Sequence, residues 1–86
     1  MIPKIGDVFE VEGDAPTGPY HIHFQVTELP RGRVHGKVLK VLKMNHNNDQ
    51  VGGTVAWPRR ALFGELTQRW FDVTRLPKSK YPEYYL

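Results

Sequence analysis

The sequence predicts a small all-β domain. Short runs alternate apolar and polar residues, and clusters of glycine, proline, asparagine and aspartate separate those runs. With 86 residues the chain is one domain, and a chain this short buries only roughly 60–65 % of its unfolded surface. Ten aromatic residues supply the large packing units that so small a core needs.

The elements follow in order. "DVFEVE" (7–12) sets Val8, Glu10 and Glu12 against Phe9 and Val11, a first strand. "GDAPTGP" (13–19) has the glycines and prolines of a turn-rich loop. The second strand is the clearest: Tyr20, Ile22, Phe24 and Val26 fall on one face, and His21, His23, Gln25 and Thr27 on the other. "LPRG" closes a hairpin, with Pro30 suited to position i+1 of a type I turn and Gly32 to the left-handed residue after it. "RVHGKVLKVLKM" (33–44) is a long third strand that changes phase. Val34 and Val38 share one phase and Leu39 and Val41 the other, so a bulge or bend is expected near residues 38–40. "NHNND" is the next turn and "QVGGTVAW" the fourth strand, kinked or closely approached at Gly52-Gly53. "PRRALFG" is a single helical turn between Pro58 and Gly64. "QRWFDVTRL" is the last strand, with Phe71 and Val73 inward.

Five short strands, a meandering first loop, a bent third strand and one helical turn before the last strand resemble the SH3-like barrel. The resemblance covers residues 6–76 and implies a five-stranded SH3-like barrel in residues 1–76. Residues 77–86 form a C-terminal tail that packs on the barrel or extends from it.

Composition excludes much chemistry. There is no cysteine, which removes disulfides, thiolate metal sites and thiol nucleophiles, and which suits a reducing, cytoplasmic setting. No signal peptide is visible in "MIPKIGDVFEVEG", and no apolar run approaches the roughly 20 residues of a membrane span. The only serine is Ser79, so a Ser/His/Asp constellation is absent. No phosphate-cradling loop follows "VGGT", and "NHNNDQ" lacks the ligand spacing of a calcium loop. The expectation is a binding module without catalytic residues or cofactor.

"YHIHFQVTE" (20–28) raises one metal question. His21 and His23, two apart on a strand, project from one face, and Glu28 lies five residues beyond. The string His-x-His-x₄-Glu resembles the first metal motif of cupins, whose barrels bind iron, manganese or zinc. The second cupin motif is met only as far as Gly52 and Pro58: Arg60 stands where a glycine belongs, and no histidine follows. The alternation that sends Ile22 and Phe24 to the core also turns both histidines outward, where they are expected to be exposed. A metal at this strand is the minor alternative.

Charge is split along the chain. Residues 1–30 carry a net −4 (Lys4 against Asp7, Glu10, Glu12, Asp14 and Glu28), and residues 31–86 a net +7. Either the halves neutralise one another on folding, or a basic surface faces an anionic partner. Arg31, Arg33, His35 and Lys37 lie on the second hairpin, beside the His21/His23 face of the neighbouring strand; Trp57 precedes Arg59 and Arg60 at the helical turn. These seven residues (Arg31, Arg33, His35, Lys37, Trp57, Arg59 and Arg60) are the expected nucleic-acid-binding set: the cations hold phosphates, and His35 or Trp57 stacks on a base. In SH3-like folds, aromatics such as Trp57, Trp70 and tail tyrosines 81, 84 and 85 also line peptide grooves. Docking of an acidic protein on the same surface is therefore the alternative function. Exposed edge strands leave the chain a monomer or a homodimer.

Overall fold

Alternation decides the architecture, because each strand has one apolar face to bury. The computed structural model describes residues 1–16, 18–44 and 50–86. Five strands, β1 (Val8–Ala15), β2 (Gly18–Glu28), β3 (Arg33–Met44), β4 (Thr54–Pro58) and β5 (Asp72–Arg75), form one antiparallel sheet in the order β4-β3-β2-β1-β5. The fold is all-β. The sheet is open, since the edge strands β4 and β5 each pair on one side only.

The inner face carries Phe9 and Val11 from β1, Ile22, Phe24 and Val26 from β2, Val34 and Val38 from β3, and Val55 and Trp57 from β4, all buried. A short helix, α1 (Arg59–Phe63), closes over them with Ala61 and Leu62. Pro58 precedes the helix and Gly64 caps its end by donating its N–H to the Arg60 carbonyl. Rings interlock at the centre: Phe24 meets Trp57 edge-on at 5.2 Å, and Phe9 meets Phe63 at 4.9 Å. Each such side chain contributes about 1.5–3 kcal/mol by leaving water.

Two expectations are corrected at the hairpins. Residues 13–19 are not a meandering loop: the ladder continues through Gly13↔Tyr20 and Asp14↔Pro19 to Ala15↔Gly18, leaving a two-residue connection of which Thr17 lies outside the described residues. Gly13 serves contact, since a Cβ there would meet the Phe71 ring at 2.9 Å. In the second hairpin Arg33 donates its N–H to the Pro30 carbonyl, so Pro30 is position i of the turn and Gly32, at φ +72°, is position i+2. The fourth strand is shorter than expected. Residues 50–53 are a turn, with Gly52 at φ +88° and the Gly53 N–H on the Gln50 carbonyl. The expected "NHNND" turn lies outside the described residues.

The phase change in β3 is resolved by two bulges. Opposite β2, the partners run Phe24↔Val38, then His23↔Lys40, Ile22↔Val41 and His21↔Lys43. Leu39 and Leu42 are thus the extra residues. The first skip lies where the sequence changes phase.

Candidate functional site

The outer face of the sheet holds the chemistry, and its two halves differ. Across β1 and β2 the register places Glu10 opposite His23 and Glu12 opposite His21, all on that face. Glu10 Oε2 lies 2.9 Å from His21 Nε2 and 3.0 Å from His23 Nε2. His21 Nδ1 in turn sits 3.5 Å from Glu12 Oε2.

The end of the chain folds back over this half. A 3₁₀ turn, Pro82–Tyr85, sets Tyr84 Oη 2.7 Å from His23 Nδ1. Tyr84 and Tyr81 stack in parallel at 5.9 Å, and both meet the His23 ring edge-on. The Tyr85 hydroxyl donates to the Leu76 carbonyl and accepts the Val8 N–H. His23 is consequently only 5 % exposed. The expectation of an exposed histidine is corrected for His23: its side chain points away from the core, as the alternation requires, but meets the tail in place of water. His21 is half-buried.

The carboxyl of Glu10 is held below its ordinary 4.5, first by the hydrogen bond with His21 and then by that with His23; burial opposes them. Where each ring carries its proton on Nε2, an ionised Glu10 accepts from both, and the Tyr84 O–H donates to His23 Nδ1. Burial, followed by the charges of Glu83, Tyr81 and Glu10, raises the Tyr84 phenol and keeps its proton in place.

Glu28, the carboxylate of the sequence string, is not part of this cluster; it is exposed and faces His35. The sequence does not bring Glu10 to the histidines, because the loop expected over residues 13–19 conceals the register that pairs it with His23.

Across β3 and β4 no element lies over the outer face among the described elements. Arg33, His35 and Lys37 alternate along β3, with Lys37 opposite Gln25 and Thr54. The two bulges then bring Lys40 opposite His23 and Lys43 opposite His21. In an unbroken strand, steps of three residues would point Lys37, Lys40 and Lys43 to alternate sides. Here all three share the outer face, and with Arg33 they form a line of exposed cations about 26 Å long along the strand. Among the described residues the one Lys or Arg to carboxylate ion pair is Arg75–Asp7 at 2.9 Å. Among the described residues no ion pair joins the acidic first third to this line: Glu10 and Glu12 are engaged with histidines, although Glu12 and Asp14 line one depression with Lys43.

The structure brings only part of the expected set together. Arg33, His35 and Lys37 share the stripe, and Arg31 is exposed in the turn at its end. Lys40 and Lys43, outside the expected set, join the stripe only through the skips at Leu39 and Leu42. Trp57 is 8 % exposed and packs on Tyr20, Phe24 and Phe71, so it offers no free ring. Arg59 is half-buried and turns its guanidinium to the carbonyls of Leu29, Pro30 and Arg33, bracing the hairpin. Arg60 is exposed on α1, which covers the opposite face of the sheet. Trp70, 58 % exposed, makes no ring contact with Trp57 or the tail tyrosines.

No helix among the described residues is long and apolar enough to cross a membrane. No protein-family model matches the chain, and no curated protein or solved structure matches it either.

Proposed function

We propose that the uncovered half of the outer face binds single-stranded nucleic acid through its phosphates. The observation that carries the reading is the line Arg33, Lys37, Lys40 and Lys43, exposed, on one face, and free of ion pairs with the described carboxylates. Cations held at fixed intervals along a strand suit a polyanion laid parallel to it, and each phosphate neutralised releases a counterion. His35 supplies an aromatic edge in the same line, beside a shallow depression of about 310 Å³ that Glu28, Thr54 and Ala56 also line. A base turned toward the sheet fits there, with Glu28 as an acceptor for an exocyclic amine.

The fold belongs to the same proposal. A four-strand meander with β5 returning to β1 after a helical turn follows the SH3-like plan, and we read the open sheet as a variant of it. A cytoplasmic location is the setting in which such a module meets its ligand.

The test is a fluorescence-anisotropy titration of labelled 15-nucleotide RNA and DNA strands at 50 and 200 mM salt. Binding is expected at the lower salt, weakened severalfold or more at the higher one. No binding to either strand at 50 mM salt overturns the reading. A stoichiometric acidic protein retained after nuclease treatment, in place of nucleic acid, favours a protein-docking role for the same cations.

A further inference from the structure

We propose that Glu10, His21 and His23 form a three-ligand site for a first-row divalent metal, with zinc as the reference ion. The inference is independent of the nucleic-acid reading and uses the covered half of the face.

Three observations converge. One ligand atom from each of Glu10, His21 and His23 lies within 4.8 Å of the others, and Glu10 Oε2 meets both Nε2 atoms directly, on two neighbouring strands whose register holds them there. Bonds of 2.0–2.1 Å to nitrogen and oxygen place the ligands of a tetrahedral ion roughly 3.3 Å apart. The observed separations of 2.9 and 3.0 Å from Glu10 therefore need to open by only a few tenths of an ångström.

Each histidine also has an outer partner on its other nitrogen: Tyr84 Oη on His23 Nδ1 at 2.7 Å, and Glu12 Oε2 near His21 Nδ1 at 3.5 Å. Metal-bound histidines carry this arrangement, because a group on the far nitrogen fixes the tautomer and aims the lone pair at the ion. The third observation is burial. His23 lies beneath the tail while His21 and Glu10 stay partly open. One side of the site is thus sheltered, and the other leaves a fourth coordination position to water or a ligand atom.

Two imidazoles and one carboxylate suit zinc, or iron(II) and its neighbours, better than calcium or magnesium, which take oxygen ligands. Without metal, an Nε2–H on each ring donates to Glu10. On binding, each ring gives its Nε2 proton to water and takes one from water at Nδ1, so no net proton is released and the Nε2 lone pairs are freed. His21 then donates to Glu12, and His23 to Tyr84 Oη, whose own proton turns to water.

The experiment uses untagged protein stripped with a chelator, titrated with zinc alone by calorimetry and with cobalt(II) by visible absorption. One equivalent is expected, with a cobalt spectrum of low coordination number and histidine ¹⁵N shifts that report Nδ1–H in both rings. Glu10→Gln and His21→Asn, at partly exposed positions, are expected to weaken binding at least tenfold. Tyr84→Phe is expected to weaken it about tenfold while leaving the stoichiometry at one. Folding of each variant is checked by circular dichroism. Absence of zinc binding by the folded wild-type chain up to 1 mM (about the weakest specific binding such a site would show) overturns the proposal. So does zinc binding of equal strength in Glu10→Gln and His21→Asn.

Discussion

Tyr84 Oη and His23 Nδ1 lie 2.7 Å apart across 61 residues of chain, tying the last turn of the molecule to the middle of its second strand. The tie is reinforced by the Gln25 side-chain amide, which donates to the Tyr84 carbonyl at 3.4 Å. Tyr84→Phe removes the hydroxyl and leaves Nδ1 buried without its partner, at a cost of about 1–3 kcal/mol. Thermal melting should fall by about 4–8 °C for each kcal/mol lost in a domain of this size. Truncation after Leu76 should destabilise further, since it uncovers His23 and Val8 together. A tail that could be removed with no change in melting temperature would contradict this packing.

Acid should weaken the same region. In chelator, Glu10 faces His21, His23, Tyr84, Glu12 on its own strand and Thr74 across β5. Its folded-state carboxyl lies below the ordinary 4.5. The stability it contributes is therefore fully present above the unfolded value and disappears as pH falls through the folded one. Denaturant midpoints of wild type and Glu10→Gln should differ most above pH 5 and converge in acid. A constant difference from pH 7 to pH 3 would rule out this linkage.

Gly36 allows no side chain. A Cβ there would run into the Phe24 ring and approach the Gln25 carbonyl oxygen at 2.6 Å. Gly36→Ala forces the sheet to part at β2 and β3, where most of the core is anchored. Overpacking of this kind costs about 1–3 kcal/mol, measurable as a lower urea midpoint with an unchanged slope.

Trp57 should act on stability and not on recognition. Its ring is wedged among Tyr20, Phe24 and Phe71. Trp57→Ala is expected to cost about 3–5 kcal/mol, a large share of what so short a chain has. Near-ultraviolet circular dichroism should report the loss of packing. A folded Trp57→Ala that had lost only nucleic-acid affinity would restore the stacking role.

Much of this fold was legible because a period of two is hard to imitate. The β2 alternation identified both faces, and the phase change in "RVHGKVLKVLKM" marked a bulge before any pairing was known. What was not legible depended on register. Gly13, Pro16, Gly18 and Pro19 look like loop residues, yet Gly13, Gly18 and Pro19 are ladder residues that bring Glu10 to His23. Had the turn been centred on residues 16 and 17, every cross-strand partner would have followed by counting. The cover over His23 was illegible for a different reason: "PKSKYPEYYL" has no period, and its position rests on long-range hydrogen bonds from Tyr84 and Tyr85. Trp57 shares the inward phase of Val55, and that phase, not the adjacent arginines, sets its burial.

The central claim, that the bulges of β3 align Lys37, Lys40 and Lys43 for phosphate contact, is tested most directly by salt dependence. Log affinity for a single-stranded oligonucleotide is measured against log salt for wild type, for the triple variant Lys37→Gln/Lys40→Gln/Lys43→Gln, and for Arg60→Gln. A slope of about −0.7 per phosphate contact predicts that the triple variant loses roughly two from the magnitude of the wild-type slope. Arg60→Gln, on the helix over the opposite face, should keep it. Equal slopes in wild type and triple variant, or a loss in Arg60→Gln as large as in the triple, would contradict the account.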